Sequence, residues 1–225
     1  MTIILTPVLE LEPYTFKNPD REYPLSYSTE INEQFWRDCL IDSGITDLEP
    51  YQPGSWFVPL ANIHNLIYLK TIINKKFEDN SRESIAEMDF SSLSGGCVFE
   101  YRDIIIFPNC CCDLGDIAEW EAATHCKNKE KETLWIGHPW LKYRSKEDLI
   151  EITQTAESGE PPQPEIFDIP RKELTIAVEQ AKEEMTEFAL KIIPIAREIL
   201  PNNYNELIAR LVWGNCNYQE KSDRH

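Results

Sequence analysis

The sequence predicts an α+β fold: a mostly antiparallel central sheet flanked by helices, with a long C-terminal helix kinked near Pro194. Three observations predict it. Segments rich in β-branched and aromatic residues bunch between about 96 and 168, with helical periods on both sides and no βαβ series. From Pro170 onward the apolar period is helical. The composition, 42% apolar with six Trp, nine Tyr and nine Phe in 225 residues, supports a folded core, because chains that stay disordered are poor in aromatics.

The elements follow in order. Pro7, Pro13, Pro19 and Pro24 break residues 1–27, which predicts an extended segment wrapping the surface. Ser28 is placed as an N-cap, Ile31, Phe35, Cys39 and Leu40 follow at helical spacing, and Gly44 is placed to end that helix near Ser43. After the turn-rich "EPYQPGSWFVPL", Ile63, Leu66, Ile67, Leu69, Ile72 and Ile73 predict a second, largely buried helix to about Lys76, with His64 packed inside it. "FEDNSRES" reads as a polar loop.

"SLSGGCVFEYRDIIIFP" predicts strands Cys97 to Tyr101 and Ile104 to Phe107, joined at Arg102-Asp103, with a Gly95-Gly96 turn before them. Asp113 is positioned to cap a helix from Leu114 to about His125, with Asp116 in its first turn. "TLWIGHPWLKYRS" and "DLIEITQT" predict two or three more strands, and "AESGEPPQPE" a linker. Leu174, Ala177, Val178, Ala181, Met185, Phe188, Ala189, Ile192, Ala196 and Ile199 then mark one face of the long helix. Pro194, which lacks an N–H, must break it. Asn202 or Asn203 caps a last helix to Trp213, closed by Gly214. The expected organisation is an α+β domain over 1–168 (1–27 extended), a helical segment over 169–215 packed on it, and a flexible tail over 216–225.

Charge excludes some partners. With 39 acids against 22 bases the net charge is −17, which repels phosphate backbones and anionic membranes. A protein partner of basic character fits instead. The imbalance peaks in residues 1–60, where ten acids face Lys17, Arg21 and Arg37. "MTIILTPVLELEP" has no basic n-region, and no run approaches 18 apolar residues. A cytoplasmic protein is expected, its seven cysteines free thiols unless a metal holds them.

"FPNCCCDLGDIAEW" is the most unusual stretch. One chemistry it suggests is a zinc site from Cys110, Cys111 and Cys112 with Cys126, His125 or His138, although zinc signatures space paired ligands by two to four residues. Adjacent residues of an extended chain face opposite ways, so Cys110 and Cys112 are the pair expected to share a side and meet His138. The other chemistry is a catalytic thiol: Cys112 precedes the proposed cap, where the helix dipole lowers a thiol pKa, and His138 of "IGHPW" would be its base. Asp113 and Asp116 oppose that ionisation. The bland alternative is small apolar side chains filling a tight corner, with His138 satisfying backbone groups at a strand turn beside Trp135 and Trp140. Pairs such as Asp116 with Glu119 and Glu183 with Glu187 read as solvated helix faces. No glycine-rich phosphate motif occurs.

"FSSLSGGCVFEYRDIIIFPNCCCDLGDIAEWEAA" with "LWIGHPW" resembles the SUKH superfamily, the clan of cell-wall-synthesis regulators and bacterial toxin-immunity proteins. The resemblance covers roughly residues 85–145: a double glycine before a strand, a proline-cysteine corner before a helix, and a tryptophan on that helix. It implies an α+β fold without catalytic residues that acts by binding proteins. The first expectation is therefore a non-enzymatic, immunity-like binding module without a cofactor, whose acidic surface recognises a basic partner such as a nuclease-type toxin. Its alternatives are a Cys/His-dependent enzyme or zinc protein centred on Cys110, Cys112 and His138, and a structural protein that self-assembles into a homo-oligomer through the kinked C-terminal helix.

Overall fold

Eight strands pair into two four-stranded antiparallel sheets in the computed structural model, which describes residues 2–23, 29–78, 91–156 and 165–214. The first sheet has the order β2-β1-β3-β4, from β1 (Ile4–Glu10), β2 (Phe57–Pro59), β3 (Gly95–Tyr101) and β4 (Ile104–Ile106). The second runs β5-β6-β7-β8, from β5 (Glu132–Leu134), β6 (Leu141–Lys146), β7 (Leu149–Gln154) and β8 (Ile166–Pro170). The mixed α+β class is as the sequence predicts, but the strands form two sheets rather than one.

The first strand is the main departure. Residues expected to wrap the surface instead supply β1, an inner strand of the first sheet, paired with β3 from Ile4↔Glu100 to Leu9↔Gly95. Ile3, Leu5, Leu9 and Leu11 point into the core. The strand accommodates Pro7 because β2 covers only Val8 to Glu10, so Pro7 lies where β1 is an edge on that side, a position that tolerates the missing N–H. Gly95 (φ 145) lets the two backbones meet there, since a Cβ would overlap the Val8 carbonyl oxygen.

The helices follow the sequence more closely. After a single turn, α1 (Pro13–Phe16), comes α2 (Thr29–Asp42), ended as predicted by Gly44 at φ 82. Its predicted cap, Ser28, lies outside the described residues. Trp36 of α2 is fully buried and donates to the Leu11 carbonyl at 2.8 Å, tying the helix to the end of β1. The second long helix, α3 (Leu66–Lys76), starts later than predicted because the Asn65 side chain accepts from Ile67 N and caps it there. His64 therefore precedes the helix and is exposed rather than packed inside it.

Asp113 caps the next helical segment as predicted. It accepts from Gly115 N at 2.8 Å while Asp116 accepts from Asp113 N at 2.9 Å, a reciprocal capping box. The first turn is 3-10, Leu114–Asp116, and α4 (Ile117–His125) continues it. The long helix α5 (Arg171–Lys191) ends at Ile192, and α6 (Ile193–Ile199) resumes with Pro194 in its first turn, where a missing N–H is harmless. Then α7 (Tyr204–Trp213) closes on Gly214 at φ 67.

One continuous apolar core joins these pieces, from Ile3 of the first strand to Val212 of α7. At its centre Phe99 of β3 stacks face to face on Trp120 of α4, ring centroids 5.2 Å apart, and lies 6.1 Å from Phe167 of β8. This aromatic contact bridges the two sheets. Arg171, at the start of α5, donates to the Thr124 carbonyl and to Ser145 Oγ, both at 2.8 Å, which fixes the long helix against α4 and the second sheet. No helix among the described residues is long and apolar enough to cross a membrane.

Candidate functional site

Two loops meet where the sheets approach each other: the "PNCCC" corner after β4 and the "IGHPW" loop between β5 and β6. Backbone hydrogen bonds lace them together, Asn109 N to the Ile136 carbonyl at 2.6 Å and His138 N to the Cys110 carbonyl at 3.1 Å. The Asn109 side chain adds a bond to the Pro139 carbonyl. Gly137 makes the approach possible. At φ 93, a Cβ there would overlap the carbonyl oxygens of Cys110 and Asn109, the second at 2.5 Å. The His138-Pro139 peptide is cis.

The three cysteines do not alternate as an extended chain would. Cys111 adopts a left-handed conformation, φ 68, uncommon for a residue with a Cβ. That twist leaves Cys110 and Cys111 both on the exposed side and turns Cys112 inward. Cys112 is 4% exposed, and Gly96 leaves it room, since a Cβ on Gly96 would lie 2.7 Å from the Cys112 sulfur. Burial is the first cause that pushes the Cys112 thiol well above its ordinary range, and Asp116 and Asp113 add to it. The predicted pairing of Cys112 with His138 is therefore not what the fold brings together. Cys112 is a buried apolar filler.

Cys110, Cys111 and His138 are brought together instead. Their ligating atoms, two sulfurs and an imidazole nitrogen, all lie within 4.8 Å of one another, and all three residues are exposed. Cys110 Sγ also donates to the His138 carbonyl at 3.6 Å. The His138 ring stands edge-on to Trp135, centroids 4.6 Å apart, and 5.8 Å from Trp140, while the two tryptophans stack at 6.3 Å. Both indoles thus pack against the imidazole. The Cys111 thiol is raised chiefly by its hydrogen bond with Cys110 and by that neighbour's charge, then by burial and Glu10.

No family pattern, curated protein or solved structure matches the chain. Its own geometry therefore carries the reading of the site.

Cys110 and Cys111 also line a cleft of about 570 Å³ that extends to Glu10, Trp56 and Lys76. Burial, then the neighbouring Glu12, raises the Glu10 carboxyl. Lys76 donates to the Ser92 carbonyl at 2.8 Å, and burial lowers its ammonium. The other predicted ligands sit apart from this cluster. Cys126 is buried, donating to the Asn128 carbonyl and to Glu132. His125 is exposed in the last turn of α4.

Residues 1–60 carry the acidic excess in a second group of side chains. Arg21 is held by both Asp38 and Asp42, at 2.9 and 2.8 Å, and Arg37 by both Glu33 and Glu49, at 3.1 and 2.8 Å. Each guanidinium is thus matched by two carboxylates. The third base, Lys17, lies 5.7 Å from the Tyr14 ring. Exposed Asp20, Glu22 and Asp47 make no ion pair among the described residues.

Proposed function

We propose that this chain is a non-enzymatic, immunity-like binding module whose acidic N-terminal surface recognises a basic protein. One observation carries the proposal: Arg21 and Arg37 are each shared by two of the chain's own carboxylates, so each cluster stays net negative and offers no free cation to a partner. With ten acids against three bases, residues 1–60 carry −7 of the chain's net −17, and Asp20, Glu22 and Asp47 remain exposed for an external cation. Complementary charge accelerates encounter and rejects like-charged proteins more than it deepens affinity.

The thiol first considered as a nucleophile supports the same reading, because Cys112 is buried and held protonated. The resemblance to the toxin-immunity clan supplies the partner class, a basic nuclease-type protein.

Capture at low and high salt tests the proposal, with the wild-type chain beside a triple variant Asp20→Asn, Glu22→Gln, Asp47→Asn. A basic partner retained by the wild type at low salt, weakened by salt and by the variant, is the expected result. Retention insensitive to both, or no retained protein at low salt, refutes it.

A further inference from the structure

The geometry points to a metal-binding site that takes a thiophilic d¹⁰ ion, Zn²⁺ or Cu⁺, on Cys110 Sγ, Cys111 Sγ and an imidazole nitrogen of His138, with a coordination position left open toward the adjoining cleft. The inference goes beyond the acidic binding surface and does not depend on it. A tetrahedral ion holding sulfur at about 2.3 Å and nitrogen at about 2.0 Å separates its donors by roughly 3.5–3.8 Å. The three donor atoms here already lie within 4.8 Å of one another, so small side-chain rotations close the set. Two soft thiolates with a borderline imidazole select Zn²⁺ or Cu⁺ over magnesium or calcium.

Three structural features favour a built site over chance proximity. The left-handed Cys111 places adjacent cysteines on one side, a conformation a non-glycine residue adopts only where its surroundings impose it. Gly137 permits the close loop contact that delivers His138, and the bond from His138 N to the Cys110 carbonyl sets its register. Trp135 and Trp140 then pack edge-on against the ring and limit its rotation.

The open position distinguishes this arrangement from a closed structural site, which has four protein ligands. Here the fourth ligand is water or an incoming donor admitted by the cleft, whose wall includes both cysteines. Binding a divalent ion releases one proton from each thiol, two per ion, so loading is pH-dependent and favoured as pH rises.

The test uses the full chain, reduced and stripped of metal, titrated with Zn²⁺, with Cu⁺ and with Co²⁺ as the spectroscopic reporter. The expected result is one ion per chain with the visible bands of a tetrahedral thiolate-bound Co²⁺. Affinity should fall at least about tenfold in Cys111→Ser and in His138→Asn, because losing a ligand costs more than losing an outer partner. His125→Asn, exposed in the last turn of α4 and apart from the cluster, should keep the ion. Since Cys111 and His138 are exposed, circular dichroism should show both variants folded. Competition against a zinc and a copper(I) chelator identifies the preferred ion, and either ion bound through these residues supports the site. No bound ion, an affinity unchanged in Cys111→Ser, or loss in His125→Asn overturns it.

Discussion

Replacing Gly137 by alanine separates two costs that one substitution usually mixes. The first is the positive φ. Gly137 sits at φ 93 and Gly44 at φ 82, so alanine at either position pays a left-handed backbone cost of about 1–2 kcal/mol, partly offset by a stiffer unfolded chain. The second is contact, and only Gly137 meets it. Nothing lies within 4 Å of a Cβ at Gly44, whereas one at Gly137 overlaps the Cys110 and Asn109 carbonyl oxygens. Relieving that overlap parts the two loops and strains the bonds from Asn109 N to Ile136 O and from His138 N to Cys110 O, each worth about 1 kcal/mol net. Gly44→Ala should then cost about 1 kcal/mol and Gly137→Ala about 3 kcal/mol. Urea denaturation of the two variants beside the wild type gives both values, and their difference isolates the contact. A difference below about 1 kcal/mol refutes the argument, because the loops would then have slack and His138 would not be held by the Gly137 approach.

Other outcomes follow from burial and charge. Mass-mapped alkylation of the native, reduced, metal-free protein near pH 8 should modify Cys110 and Cys111 and leave Cys112 and Cys97 intact, since burial raises the two latter thiols; fast labelling of Cys112 would contradict its inward placement. Phe99→Ala should cost about 3–5 kcal/mol, because the ring is fully buried and stacked on Trp120, and a loss under 1 kcal/mol would mean that this inter-sheet contact is not central. Glu10 has a folded pKa raised above the ordinary 4.5. Its favourable contribution is therefore present below that value and is lost as pH rises through the folded pKa. Glu10→Gln should accordingly gain stability relative to the wild type between pH 3.5 and pH 7, measured by denaturation at each, and a relative loss would reverse the assignment.

Legibility in the sequence followed how local the cause was. The long helix was readable because its apolar period of ten positions needs no distant partner, and all but Ile199 of those predicted positions are buried. The Asp113 cap and the Gly44 and Gly214 terminators were readable for the same reason: each is decided within one helical turn. The first strand was present as a pattern too, with Ile3, Leu5, Leu9 and Leu11 inward and Ile4 and Glu10 outward. Pro7 masked it, because a proline inside such a run argues against an inner strand unless one knows that β2 stops short of it. That fact belongs to the register with a partner 50 residues away.

The cysteine corner shows the same limit at the scale of one residue. Alternation along an extended chain paired Cys110 with Cys112, and it holds wherever the backbone stays in the β region. It failed at Cys111, whose φ of 68 inverts the sequence of sides. Left-handed positions ordinarily announce themselves by Gly or Asn, and "NCCCD" places Asn at 109, two residues early. What imposes the twist is tertiary. Cys112 must enter the space above Gly96, while the Cys110 carbonyl must accept from His138 N, 28 residues later in the chain. Cys111 lies between those two contacts, and its left-handed backbone accommodates both. The pair of exposed thiols beside an imidazole is thus a consequence of burying the third cysteine, which is why the triad is visible in the fold and has no signature in the sequence.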